Sequence, residues 1–201
     1  MKTKLLITAL SCLAAFNVSL AEEAKVGSAA PEFSLKDVNG KTHSLADYKG
    51  KFVVLEWFNE GCPFVKKHYT SGNMQKLQKE YTGKDVVWLS INSSAEGKEG
   101  HMTPESAEKT ITDWKMDSTK VLLDSDGKVG RMYGAKTTPH MFVIDKSGKL
   151  VYQGAIDSKP TANVADLATA ENYVRVALDS SMAGKPVATA TTKPYGCSVK
   201  Y

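Results

Sequence analysis

The chain has 201 residues, 42% hydrophobic, 24% charged and 8% aromatic, with a formal net charge of +4. That is enough chain for one domain with a real apolar core. Its lysines are scattered and not interleaved with aromatics, which gives nucleic-acid or anionic-lipid binding no support.

Residues 1–21 read as a secretory signal peptide. Lys2 and Lys4 precede a short apolar core at 5–16, and Val18-Ser19-Leu20-Ala21 supplies a small-residue cleavage site. A lipobox at Cys12 is the weaker reading, because Ala9 sits where a leucine is wanted. The apolar stretch is shorter than the roughly 20 residues that span a bilayer. Cleavage after Ala21 removes Cys12 and leaves 24 basic against 22 acidic residues. The expectation is an exported protein, periplasmic or secreted, with no membrane attachment after cleavage. It would keep two cysteines, Cys62 and Cys197, and in an oxidising compartment two cysteines tend to pair.

After a polar lead-in, residues 33–35 and 42–45 flank Asn39-Gly40, a hairpin signal because both turn residues tolerate positive φ. Residues 52–58 form an apolar run interrupted only by Glu56, which suggests a strand buried on both faces. A helix is expected from Cys62-Pro63, with proline at its first position. It runs toward Tyr81 and is kinked or broken at Ser71-Gly72-Asn73. Residues 86–91 read as the next buried strand, and residues 93–102 as a polar loop. Thr103-Pro104-Glu105 starts another helix, with Ile111 and Trp114 supplying its apolar face. A short strand at 121–123 leads to a turn at Asp126-Gly127 and a short helix to Tyr133. Residues 140–144 and 150–152 form a second hairpin, and a last helix carries Leu167, Ala170, Val174, Ala177 and Leu178. Residues 183–201 have no helical pattern and read as an irregular, mobile tail. The domain plan is thus signal peptide 1–21, folded domain 22–182 and tail 183–201. Alternation first and antiparallel pairing last implies an α/β fold, a mixed central sheet flanked by helices and preceded by a β-hairpin. This is the thioredoxin-like arrangement.

Cys62 sits between the buried run and a helix start, where free N–H groups and the helix dipole favour a thiolate. Lys66, one turn on, and Lys67 beside it would add to that effect. An inert buried thiol is the alternative. Cys197 can reach Cys62, since 14 extended residues from Ala183 span up to roughly 46 Å. The pair would either cycle or form a static staple, whose loop of about 135 residues would stabilise the fold by roughly 5 kcal/mol, unless Cys197 pairs instead with a partner protein. Glu56 reads either as a buried acid beneath the thiol or as an acid pointing out from a strand edge. Thr138-Pro139 precedes a strand, and the proline is either cis, exposing the preceding backbone to a thiol or peptide, or an ordinary trans residue. His43, His68, His101 and His140 lack the spacing of a closed structural zinc site, and no metal or cofactor is expected.

Several stretches together resemble the redoxin branch of the thioredoxin superfamily, the alkyl hydroperoxide reductase/thiol-specific antioxidant group. They are Ala30-Pro31-Glu32-Phe33-Ser34-Leu35, Lys49-Gly50-Lys51-Phe52-Val53-Val54-Leu55 and Thr138-Pro139-His140-Met141-Phe142-Val143-Ile144-Asp145. Gly61-Cys62-Pro63-Phe64-Val65-Lys66, taken with Pro194-Tyr195-Gly196-Cys197-Ser198-Val199-Lys200, is similar to a peroxiredoxin-like subfamily that also ends in a Gly-Cys. The resemblance implies that Cys62 is the attacking cysteine, Pro139 the cis-proline and Glu56 the buried acid. Val65 stands where thioredoxins carry a second cysteine. Leu55 and Asn59 stand where peroxiredoxins carry the proline and threonine that bind peroxide. Only Arg131 and Arg175 can supply such an enzyme's arginine.

The reading is an exported thiol–disulfide oxidoreductase with Cys62 as nucleophile and Cys197 as resolving thiol. Its partners would be protein thiols or disulfides and an external thiol reductant. A two-cysteine thiol peroxidase acting on a small peroxide is the alternative. From another class come a non-enzymatic copper carrier and a scaffold with a static disulfide.

Overall fold

The computed structural model describes residues 23–201, so the signal-peptide reading of residues 1–21 lies outside the described residues. Among the described residues nine strands and five α-helices follow one another: β1 (Ser34–Asp37), β2 (Thr42–Ser44), β3 (Val53–Trp57), α1 (Pro63–Thr70), α2 (Asn73–Thr82), β4 (Val87–Asn92), α3 (Pro104–Asp113), β5 (Lys120–Leu123), α4 (Lys128–Met132), β6 (Thr137–Thr138), β7 (His140–Ile144), β8 (Leu150–Gly154), α5 (Tyr173–Met182) and β9 (Cys197–Ser198). Seven strands form one mixed sheet in the order β2-β1-β5-β4-β3-β7-β8. β3 lies inside it between β4 and β7, parallel to the first and antiparallel to the second. This is the thioredoxin-like α/β fold expected from the order of elements.

The period-two geometry of β3 explains its continuous hydrophobicity. Val53, Leu55 and Trp57 point to one face, with Leu89, Ile91, Phe142, Ile144 and Val129 of α4. Val54 points to the other, with Trp88, Met141, Val143 and the apolar sides of α1, α2 and α5. Both faces are buried, and every residue of β3 with them.

The helix break falls where expected. Gly72 adopts φ +73°, a left-handed conformation that glycine takes without a Cβ penalty. Ser71 Oγ donates back to the carbonyls of Lys67 and His68, closing the end of α1. Thr103 caps α3 by accepting from Ser106 N–H, but Ala107 and Thr110 are its buried residues. Ile111 and Trp114 are only partly buried against the core.

Two expectations need correction. The last α-helix begins at Tyr173, because Asn172 Oδ1 accepts from Arg175 N–H and caps it there. Ala170 is extended, and Leu167 belongs to a separate 3-10 turn at Val164–Thr169. The tail, in turn, is seated and not loose. Gln153 N–H donates to Ala190 O, and Thr192 N–H donates to Gln153 O, so the tail runs beside the sheet edge at β8. It then crosses the C-terminal end of β3, where β9 pairs antiparallel with β6. Val199 N–H donates to Lys136 O, Ala95 N–H to Lys200 O, and Tyr201 Oη to Ala135 O. A sheet edge and a set of loop carbonyls are thereby satisfied, which a free tail would leave to water.

Candidate active site

Cys62 is the N-cap of α1 in extended conformation, with Pro63 at the first helical position. The turn before it is set by Asn59, whose Oδ1 accepts from Gly61 N–H at 2.7 Å. Asn59 Nδ2 donates to Glu99 O and Ser94 Oγ, tying this turn to the 93–102 loop. The side chain that stands in place of a peroxide-polarising threonine is thus committed to loop structure.

The tail brings Cys197 to Cys62. In the β6–β9 register Thr138 faces Cys197, and Cys62 Sγ donates to Thr138 O at 3.1 Å. Both cysteines are free thiols. Thr138 is joined to Pro139 by a cis peptide bond, which settles the question the sequence left open. Gly196 has φ +129°, and a Cβ there would lie 2.0 Å from Thr138 O. Only glycine lets the tail backbone approach this closely, which is the physical content of the Gly-Cys pair.

Burial raises the pKa of Cys62, but hydrogen bonds from the Cys197 and Thr138 side chains and from the Cys197 and Val65 backbone outweigh it and bring the thiol below its ordinary value. Burial, then the hydrogen bond and charge of Cys62, push Cys197 up to about 12. The two shifts run in opposite directions, so Cys62 is the thiol that ionises more easily and Cys197 the one that holds its proton. The expected result is a two-step titration of ultraviolet thiolate absorbance. One thiolate should form below the ordinary cysteine range, and the second only near 12. Cys197→Ala should abolish the second step and move the first upward, because a donor is lost; an unmoved first step would refute the coupling.

Burial rules out the outward-pointing reading of Glu56. It is fully buried on β3, and its carboxylate accepts from Tyr69 Oη at 2.8 Å, Trp88 Nε1 at 2.7 Å, Ser90 Oγ at 3.0 Å and Gln78 Nε2 at 3.1 Å. Burial raises its pKa and these four donors pull it back. The carboxylate ties β3 to β4, α1 and α2, and Cys62 is not among its partners. Lys66 is exposed and is not among the principal groups acting on the Cys62 pKa. Lys67 is buried and turns away, donating to Lys159 O at 2.9 Å and lying 3.4 Å from Asp157 Oδ2. Asp157 Oδ1 also accepts from Tyr195 Oη at 2.5 Å. Asp157 and Tyr195 were not legible as site residues, apart from the position of Tyr195 two residues before Cys197.

Leu55 is buried on the opposite face of the sheet. Arg131 donates to Asp126 O and lies over the Tyr201 ring, while Arg175 pairs with Glu80. Neither guanidinium, and no counterpart of the peroxide-binding proline or threonine, is offered to Cys62. Among the described residues no group of three or more His, Cys, Asp or Glu side chains is placed to hold a metal ion. Burial lowers His68 to about 4 and His140 to about 3, so both are neutral at neutral pH.

The family model described as Redoxin matches residues 25–172. The chain belongs to the Redoxin family. The match takes in all seven strands of the main sheet and includes Cys62, Glu56 and the Thr138–Pro139 bond, whereas α5 and the tail with β9 lie beyond it. The chain is 29% identical over 143 residues to thioredoxin-like protein YneN of Bacillus subtilis (strain 168), covering 70% of this chain and 79% of that protein. It is 26% identical over 132 residues to thiol-disulfide oxidoreductase ResA of Bacillus thuringiensis subsp. konkukian (strain 97-27), covering 66% and 70% respectively. A crystal structure of an uncharacterized conserved protein from Geobacillus kaustophilus superposes with a TM-score of 0.74 at 29% identity, over 88% of this chain and 92% of that one. In this redoxin the Cys62 end of the sheet is the end that the tail covers.

Proposed function

We propose that this redoxin is an exported thiol–disulfide oxidoreductase in which Cys62 is the nucleophile and Cys197 the resolving thiol. The observation that carries the proposal is the β6–β9 pairing, which sets Cys197 opposite Thr138 while Cys62 hydrogen-bonds the same residue. The names of the relatives, thioredoxin-like protein and thiol-disulfide oxidoreductase, point to the same class: a thiol-dependent oxidoreductase. Export rests on the signal-peptide pattern of residues 1–21. The C-terminal Gly-Cys that suggested a peroxiredoxin-like subfamily acts in this reading as the resolving element.

The chemistry needs no cofactor, because the two cysteines carry both electrons. Cys62 thiolate attacks one sulfur of a partner disulfide, forming a mixed disulfide and expelling the other sulfur as a thiolate. The negative charge on Cys62 is then gone, and with it part of what held the Cys197 proton. Cys197 loses that proton to the expelled thiolate or to water. It attacks Cys62 Sγ, forms Cys62–Cys197 and releases the second partner thiolate. The partner disulfide is reduced to two thiols and the protein dithiol is oxidised. An external thiol reductant restores it by the same exchange in reverse.

Mixed-disulfide trapping tests the proposal. Cys197→Ala, exposed to an oxidised protein substrate, should accumulate a covalent adduct that dithiothreitol releases and that Cys62→Ser abolishes. No adduct, with rapid formation of a sulfenic acid at Cys62 by micromolar peroxide, would sink disulfide exchange and leave peroxide reduction in its place.

A further inference from the structure

Cys62 is only 1% exposed, and the tail contributes to that cover: Tyr195 and Cys197 pack against the same apolar cluster that contains Cys62. A partner disulfide has to bring a sulfur in line with Cys62 Sγ, and the seated tail occupies that approach. Reaction therefore requires the tail to lift, and resolution requires it to return.

The side-chain anchor nearest Cys197 is Tyr195. Its hydroxyl donates to Asp157 Oδ1, its ring meets Phe64 edge-on at 5.9 Å, and Lys67 Nζ lies 5.6 Å from the ring centroid. Asp157 is 3% exposed. Apart from Tyr195, its Oδ1 accepts only from Lys159 N–H, and its Oδ2 has no hydrogen bond, facing Lys67 at 3.4 Å and His68 Nε2 at 3.7 Å. A buried carboxylate with so few donors is held well only while the tyrosine is in place. The next tail anchors lie at Thr192, whose Oγ1 accepts from Ala155 N–H, and at Val199. The segment carrying Gly196 and Cys197 is thus pinned by β6 and by Tyr195, whose hydroxyl makes its one hydrogen bond to Asp157.

We propose that Tyr195 and Asp157 are positioning residues that form the catch of a lid: closed, the catch seats Cys197 against Cys62, and released, it opens Cys62 to a partner disulfide. The lid rests on the thiol–disulfide reading. It acts on the two half-reactions in opposite directions. Weakening the catch speeds attack by Cys62, because the lid is open more of the time. The same change slows resolution, because Cys197 is seated less of the time. A residue that merely supports the fold would not speed either step.

Tyr195→Phe keeps the ring and removes one oxygen. In a Cys197→Ala background, which isolates Cys62, the second-order rate with dithiobis(nitrobenzoate) should rise about tenfold when Tyr195→Phe is added, the size expected from losing one hydrogen bond to a charged acceptor. With Cys197 present, decay of a preformed Cys62–thionitrobenzoate mixed disulfide should slow by about tenfold. Urea midpoints of each variant show whether the fold is intact. If both rates are unchanged, or both fall, the catch is wrong. Failure of the exchange reading shows separately, as absence of a protein adduct in Cys197→Ala, and the rate with the aromatic disulfide still reports whether the lid opens.

Discussion

Cys62→Ser is expected to lower disulfide reduction roughly 10³-fold or more while leaving the fold intact, the scale on which an enzyme loses rate when its nucleophile is removed. The side chain is small, buried and bonded to a backbone carbonyl, and a serine hydroxyl can donate to Thr138 O in the same place. Folding should therefore be conserved within about 1 kcal/mol. Chemistry should not be, because an alcohol in this setting stays protonated and is a poor nucleophile toward sulfur. Cys197→Ser should behave differently. It retains the first attack and stalls at the mixed disulfide, so a single partner thiolate is released per chain in a burst without turnover. Insulin reduction with dithiothreitol as terminal reductant measures the first effect, and thiol release in a single turnover measures the second. Equal loss in both variants, with no burst from Cys197→Ser, would mean that the two cysteines do not act in sequence and that Cys197 is needed before the first bond forms. A Cys62→Ser protein that keeps its activity would remove Cys62 from the mechanism altogether.

How far this division of labour was legible in the sequence depends on how local each signal is. The strand-to-helix placement of Cys62 was legible because one short segment writes it: a run of apolar residues, then Gly61, then proline at the first helical position. The break at Gly72 and the hairpin at Asn39-Gly40 were legible for the same reason, since a positive φ is a demand on single residues. The seating of the tail was not. It depends on Gly196 fitting under a carbonyl 58 residues earlier in the chain and on a tyrosine meeting an aspartate 38 residues away. No periodicity encodes such pairs. Lys67 shows the limit from the other side. Helical spacing alone places it next to Lys66, but spacing does not say that one is exposed and the other buried on an ion pair. The last helix was drawn too long because Leu167 and Ala170 continue its apolar spacing, while the capping bond at Asn172 fixes where it starts.

Glu56→Ala is expected to be the most destabilising single change in the chain, for a reason the Cys62 chemistry does not share. The carboxylate accepts from four buried side chains on three other elements: Tyr69 on α1, Gln78 on α2, and Trp88 and Ser90 on β4. Alanine leaves all four donors without that acceptor, although Tyr69 and Gln78 still meet each other at 3.0 Å. Each orphaned buried donor costs about 1–3 kcal/mol, so a loss of about 4 kcal/mol or more is expected even after partial rearrangement. Against a total stability of about 5–15 kcal/mol, that is enough to leave the domain marginal. Tyr69→Phe, which deletes one donor and orphans nothing else of that strength, should cost about 1 kcal/mol. The pH dependence has a definite sign. Burial raises the folded-state pKa of Glu56 above its unfolded value, so the folded state binds the proton more tightly. This contribution is therefore fully present below the unfolded carboxylate pKa and is lost as pH rises through the folded one. Glu56→Gln, which cannot ionise, should flatten that part of the stability profile. Urea denaturation across pH for the wild type, Glu56→Gln, Glu56→Ala and Tyr69→Phe reads all of this at once. A Glu56→Ala protein within about 1 kcal/mol of wild type would show that the four donors find other partners. Because Tyr69 lies on the helix that Cys62 caps, a true loss of the carboxylate should also loosen α1, read as faster amide hydrogen exchange in that helix before the protein unfolds.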